Sequence, residues 1–291
     1  DRNKPSVAFF GSGNYAGRVL IPAFKKNSNL HSIVNNGSVS AFHFGKKFGS
    51  KYVSSDSDSV LKSDKVSTIV IATRHNDHAS QILDALQHNK HILCEKPLCI
   101  THYELDQIAE AYKHKPGLKL MVGFNRRFAP MIKKVKQLLF DRKDPVHISL
   151  SINAGALPLG HWLHDRALGG GRIIGEACHF VDLIRYLVGS DITKSSLVSL
   201  GSDQTGPDFQ GSATINLQFY DGSIGVINYL ANGHRSVAKE QLEAFCGGKT
   251  IQLDNFRRLN AYGYSNFKKM RSYTINKGVD EMVKKFIASI Q

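Results

Sequence analysis

The chain has 291 residues, of which 42% are apolar, 21% charged and 9% aromatic; that is globular composition and excludes a disordered, collagenous or coiled-coil protein. Its 38 Lys and Arg against 24 Asp and Glu give a formal charge of +14, which reads as a solvated basic surface or as attraction for a phosphorylated small ligand. The basic residues form no tail, no zinc-finger spacing and no basic region entering heptads, so neither nucleic acid nor a membrane is expected as partner. Four scattered cysteines without a C-x-x-C pair point to reduced thiols, a cytoplasmic setting and no metal.

In chain order, residues 6–10 read as a buried strand that runs into Gly11, and residues 14–26 as a helix that Pro22 should bend. Residues 30–34 are a second strand and 41–48 a second helix. Residues 68–72 (Thr-Ile-Val-Ile-Ala) show no polar alternation, as a strand covered on both faces requires. Helix 77–88, strand 91–94, helix 103–114 and strand 120–123 follow. This alternation predicts a doubly wound parallel sheet over residues 1–123.

Beyond residue 123 the pattern changes. Helices are predicted at 131–140 and 176–188, then strands at 195–200, 213–220, 223–230, 237–245 and 250–253, with a hairpin at Asp221-Gly222 and an amphipathic helix at 279–290. Residues 124–291 therefore read as an α+β domain with a mostly antiparallel open sheet, giving an α/β protein of two domains.

Gly11-Ser12-Gly13-Asn14-Tyr15-Ala16 leaves the first strand and opens the first helix, the setting in which G-x-G-x-x-A binds a dinucleotide. Gly11 permits the tight turn, Gly13 lets the backbone approach a pyrophosphate, and Ala16 is small enough for close helix–strand packing. An acidic residue normally reads the adenosine ribose at the end of the second strand. Here Asn35 and Asn36 stand there, with His43, Lys46 and Lys47 nearby, so the cofactor is NAD or NADP.

Glu95-Lys96-Pro97 follows the fourth strand, at a carboxyl end where ligands bind in open parallel sheets. Proline holds Lys96 in a restricted backbone pose, and a desolvated lysine can give or take the proton that accompanies hydride transfer. Further on, His179, Asp182 and Tyr186 fall on one stripe of a helix, beside the apolar stripe of Phe180, Ile184 and Leu187.

Taken together, G-x-G-x-x-A, Thr73 with His78, Cys94-Glu95-Lys96-Pro97, and Gly169-Gly170-Gly171 leading to His179 and Asp182 resemble the Gfo/Idh/MocA oxidoreductases, the glucose–fructose oxidoreductase and inositol dehydrogenase group. The resemblance spans nearly the whole chain. The wording of residues 171–180 is most similar to the inositol dehydrogenase-like half of bacterial two-module oxidoreductases, which implies fusion to a zinc-type alcohol dehydrogenase-like module. It also accounts for a first residue other than Met.

The family implies a Rossmann domain, NAD(P), a sugar, polyol or nucleotide-sugar substrate, and homo-oligomers built on the open sheet. Lys96 and His179 would transfer the proton, with Asp182 orienting His179. Two departures stand out. The family's Asp four residues before the histidine is Gly175 here, with Glu176 as the neighbouring carboxylate; the usual Thr-Pro-Asn is Thr73-Arg74-His75. Arg74 meets phosphate or is a surface residue. Arg127, in a segment that resembles the family's Arg-Phe, binds substrate or ties the domains together. Trp162, the single tryptophan, stacks on a sugar face or packs between elements. The resulting expectation is hydride transfer between nicotinamide and a secondary alcohol or ketone. The alternatives are transient redox in glycoside cleavage and a non-catalytic dinucleotide-binding module.

Overall fold

The structure is a computed structural model that describes residues 4–35, 39–201 and 211–291. In chain order it begins β1 (Ser6–Phe10), α1 (Ile21–Asn27), β2 (Asn29–Val34), α2 (Val39–Phe48), β3 (Tyr52–Ser54), α3 (Ser57–Lys62), β4 (Thr68–Ile71), α4 (His78–Gln87), β5 (His91–Cys94), α5 (His102–Lys113) and β6 (Leu120–Val122). It continues α6 (Pro130–Leu139), β7 (His147–Asn153), α7 (Cys178–Val188), β8 (Ile192–Ser199), β9 (Ala213–Phe219), β10 (Ile224–Leu230), β11 (Glu240–Cys246), β12 (Lys249–Asp254), β13 (Arg258–Tyr262), β14 (Lys269–Arg271) and α8 (Val279–Ile290). These elements fall into two compact units: Asp1–Phe124 with Arg166–Gly170 and Val279–Gln291, and Asn125–Asp165 with Gly171–Gly278.

The first unit is a parallel sheet in the order β3-β2-β1-β4-β5-β6, the strand order of a Rossmann fold. Its central strands are buried on both faces, which is why their sequences are uninterrupted apolar runs. One face packs Ile69, Ile71, Ile82, Leu86 and Ile108 together. On the other, Phe24 of α1 meets Phe9 edge-on at 5.4 Å and Phe286 of α8 at 6.3 Å. That aromatic contact, with Lys26 to Asp280 at 2.8 Å, groups α8 with the first unit although the sequence reading placed it after the boundary at 123/124.

Pro22 does not simply bend the first helix. Residues Ala16–Leu20 form a π-helical turn, closed by Ile21 N–H to Ala16 O, and Pro22 sits in the first turn of α1, where no N–H is needed.

The second unit is an eight-stranded sheet in the order β14-β13-β12-β11-β7-β10-β9-β8, antiparallel except for the β7–β10 pair. Alternation decides its faces. Ile148, Leu150 and Ile152 of β7 point to the core with Ile215, Leu217, Ile227 and Tyr229, and α6 and α7 close over them. Ser149, Ser151 and Asn228 point the other way. α7 ends at Gly189, whose φ of 77° suits glycine, and Lys136 Nζ (3.2 Å) and Arg142 Nη2 (3.0 Å) donate to the last carbonyls, Leu187 O and Val188 O.

Candidate active site

In the first unit the glycine turn is built as the sequence suggests. Gly11 has φ +92°, donates its N–H to Val34 O at 2.9 Å, and lies so close to β4 that a Cβ there would stand 2.4 Å from Ala72 O. Around Gly13 the opposite holds: a Cβ would meet nothing within 4 Å, so the backbone faces open space of the kind a pyrophosphate needs. Asn14 and Tyr15 are exposed on the outer side of the turn, and Ala16 is buried where the π-helical turn begins. Close packing of this helix falls also to Gly17, where a Cβ would be 2.1 Å from the Phe44 ring. The sequence reading missed that residue because the motif ends at Ala16.

At the ends of β1 and β2, Asn35 Nδ2 donates to Ser12 Oγ at 2.5 Å and Ser12 Oγ is 3.0 Å from Ser40 Oγ. Asn36 lies outside the described residues.

After β4, Thr73 Oγ1 donates to Gln81 Oε1 at 2.8 Å, and Arg74 is exposed. The segment Arg166–Gly170 rests on this loop: Asn76 N–H donates to Leu168 O at 3.2 Å and His75 Nδ1 to Gly169 O at 2.8 Å. His78 is fully buried, and its Nδ1 donates to Pro97 O at 2.7 Å. Burial pushes the His78 pKa down, against the pull of hydrogen bonds to the Pro97 and Thr73 backbones, so the ring is a neutral prop for the turn after β5. That turn carries buried Glu95, half-buried Lys96 and a cis Lys96–Pro97 bond. Gly123 leaves room for Glu95, since a Cβ there would be 2.7 Å from its Oε1. Because β1, β4 and β5 are neighbours in a parallel sheet, Gly11, Thr73-Arg74 and Lys96 emerge at the same edge.

In the second unit a π-helical turn, Ile173–Ala177, leads into α7, and His179 sits in the first turn of that helix, 9% exposed. Asp182, one turn on, gives both carboxylate oxygens to Arg127: Nε to Oδ2 at 2.7 Å and Nη2 to Oδ1. Arg127 also lies 5.4 Å over the Tyr186 ring. The structure thus joins two residues expected to act separately: a guanidinium fork engages both oxygens of the carboxylate expected to orient His179. Burial raises the Asp182 pKa, more than Arg127 lowers it.

Glu176 is likewise braced. Its Oε2 accepts from Arg172 Nε at 2.9 Å and from the Tyr229 hydroxyl, whose pKa burial and then Glu176 push upward. Arg172 and Tyr229 were not singled out from the sequence; Arg172 stands four residues before Glu176, a helical spacing that could have found it, whereas Tyr229 lies 53 positions away, beyond the reach of any local spacing. Trp162 is half-buried in a short 3-10 turn, Trp162–His164, its ring centroid 5.7 Å from that of His161. Among the described residues no group of three His, Cys, Asp or Glu side chains is gathered as metal ligands would be. Lys96 belongs to the first unit and His179 to the second.

Residues 6–124 match the family model described as "Oxidoreductase family, NAD-binding Rossmann fold", and residues 137–249 match the "GFO/IDH/MocA C-terminal domain". The chain belongs to the Gfo/Idh/MocA oxidoreductase family. Among curated relatives, the "Uncharacterized oxidoreductase YrbE" of Bacillus subtilis is 30% identical over 216 residues, 71% of this chain and 61% of that protein. The "Myo-inositol 2-dehydrogenase" of Thermotoga maritima is 26% identical over 221 residues, 73% of this chain and 64% of that protein. The matched region therefore spans less than two thirds of either relative. Of solved structures, GenD2 from gentamicin A biosynthesis, in complex with NAD, superposes with a TM-score of 0.80 at 21% identity, covering 99% of this chain and 86% of that one. At that identity the likeness speaks for the fold.

Proposed function

We propose that this Gfo/Idh/MocA protein is an NAD(P)-dependent dehydrogenase that acts on a secondary alcohol or ketone of a sugar, polyol or nucleotide-sugar. The observation that carries the reading is the shared edge of β1, β4 and β5, where an open glycine turn and a lysine before proline emerge on either side of the Thr73-Arg74 loop. A nicotinamide dinucleotide, when bound, supplies the hydride exchange. Gly11, Ser12 and Gly13 receive its phosphates on bare backbone, with Asn14, Tyr15 and Ala16 opening the helix behind them. Thr73, Arg74, His78, Glu95 and Pro97 complete that wall; His78 fixes Pro97 O and with it the turn that presents Lys96.

Lys96 and His179 are assigned proton transfer at the substrate oxygen. Arg127, anchored by Asp182, and Trp162 are assigned substrate contact. Glu176, whose Oε2 is taken by Arg172 and Tyr229, holds the turn ahead of His179 rather than moving a proton. Self-association through the sheet face that α6 and α7 leave uncovered, and a cytoplasmic setting that keeps the four thiols reduced, belong to the same reading.

The test is a nicotinamide absorbance assay with inositols, aldoses, keto-sugars and nucleotide-sugars in both directions. A substrate-dependent change near the reduced-nicotinamide band is expected for at least one class. Tight dinucleotide binding without any such change would support the non-catalytic alternative.

A further inference from the structure

Arg126 and Arg127 are consecutive in the short 3-10 turn Asn125–Phe128, and their guanidinium groups go to different partners. Arg127 grips both oxygens of Asp182 on α7. Arg126, 8% exposed, turns to the first residue of β11, donating to the two oxygens of Glu240 from Nε at 2.8 Å and Nη2 at 2.7 Å. It also lies 4.9 Å over the ring of Phe180, in the first turn of α7 and two residues before Asp182. Both halves of the Arg127–Asp182 pair therefore rest on Arg126: Arg127 through the adjoining peptide, Asp182 through Phe180. The turn itself is pinned. Asn125 Nδ2 donates to Lys277 O at 2.7 Å, and Lys277 Nζ donates to Glu240 Oε1 at 2.5 Å. Gly278 lies so close to the turn that a Cβ there would stand 2.4 Å from Ala129 N.

We propose that Arg126, fixed by Glu240, is the positioning residue of the Arg127–Asp182 pair and so sets where Arg127 meets substrate. This assignment rests on the dehydrogenase reading above and deepens its account of substrate contact. Stability alone is a poor reason for a buried cation–carboxylate–cation cluster, since apolar side chains of similar volume often do as well. What a fork on a carboxylate supplies, and an apolar contact does not, is direction: two parallel N–H···O bonds hold the guanidinium plane against rotation. A lysine at position 126 keeps a charge for Glu240 but makes only a point contact, so the two supports of the pair can shift independently. A displacement of about 1 Å at a positioned group can cost about 10²-fold in rate.

The experiment follows solvent exchange of the Arg127 Nε–H, assigned by its loss in Arg127→Lys, in proton–nitrogen correlation spectra of the parent protein and Arg126→Lys. Circular dichroism and titration with NAD+ and NADP+ check that the variant is folded, with dinucleotide affinity within a few fold of the parent. The expected result in Arg126→Lys is Nε–H exchange about tenfold faster or more. KM should rise about tenfold or more for whichever inositol, aldose, keto-sugar or nucleotide-sugar the parent turns over fastest. Exchange at the parent rate in folded Arg126→Lys, or no protected Arg127 Nε–H in the parent, overturns the inference and leaves the dehydrogenase reading intact. So does faster exchange with KM and kcat both within about twofold of the parent. A parent protein that turns over none of these compounds removes the reading and the inference together. Glu240→Asp, which draws the carboxylate back by one methylene, answers in its place if Arg126→Lys does not fold.

Discussion

Glu240→Gln is the substitution whose cost can be worked most directly from the structure. Glu240, with a side chain 3% exposed, accepts from Arg126 Nε at 2.8 Å, Arg126 Nη2 at 2.7 Å and Lys277 Nζ at 2.5 Å. Burial pushes its carboxyl up, but the hydrogen bonds and charge of Arg126, then those of Lys277, win and hold it at about 2 against an ordinary 4.5. A difference of about 2.5 pKa units corresponds to roughly 3 kcal/mol of stability at neutral pH. Since the folded value lies below the unfolded one, this contribution is complete above about pH 4.5 and is lost as pH falls toward 2; about 2 kcal/mol of it is gone by pH 3. Glutamine keeps the shape, loses the charge and leaves buried Arg126 and half-buried Lys277 without this counterion. Urea unfolding at pH 7 should therefore show Glu240→Gln less stable by about 3 kcal/mol, and the gap should narrow by about 2 kcal/mol at pH 3. Burial lowers the Lys277 pKa, so that ammonium costs something to keep, and Lys277→Met should cost less than Glu240→Gln. A gap under about 1 kcal/mol at pH 7, or one that ignores pH, would refute the reasoning.

Three further outcomes are expected. Gly11→Ala places a Cβ against Ala72 O at a φ that L-residues avoid, and should cost about 1–3 kcal/mol in thermal unfolding and weaken dinucleotide binding more than tenfold; an unchanged midpoint and affinity would show that the turn can open. Gly17→Ala drives a methyl into the Phe44 ring and should lose about 1–3 kcal/mol, recovered in part by Phe44→Leu, as a double-mutant cycle will show. Asp182→Asn should lower stability by less than about 1 kcal/mol, because burial already disfavours the ionised carboxyl despite its bidentate Arg127; a loss as large as that of Glu240→Gln would mean the two ion pairs are equivalent.

The Rossmann half was legible because its signals are local. An uninterrupted run such as residues 68–71 can be buried on both faces in only a few ways, and a glycine turn after such a strand has one familiar use. What went unread in the second half was short or interrupted. β7 carries the plain alternation Ile148-Ser149-Leu150-Ser151-Ile152, yet it stands alone between loops, far in sequence from β10 and β11, its partners. β13 and β14 are five and three residues long; β14 is Lys-Met-Arg, a strand only because β13 pairs with it. Helix spacing put His179, Asp182 and Tyr186 on one stripe, as found, but it is silent about Arg127, which arrives from 55 positions away to take both oxygens of Asp182. The same holds for Tyr229 on Glu176, 53 positions apart. Motif spacing locates a site; long-range partners decide which of its charges are already spent.

The most direct measurement is the rate of nicotinamide reduction by Lys96→Ala beside its affinity for the dinucleotide. The account predicts a fall in turnover of about 10²–10³-fold, the loss of one general acid–base group, with dinucleotide affinity within a few fold of the parent protein. Turnover within twofold of the parent, at equal affinity, would contradict it.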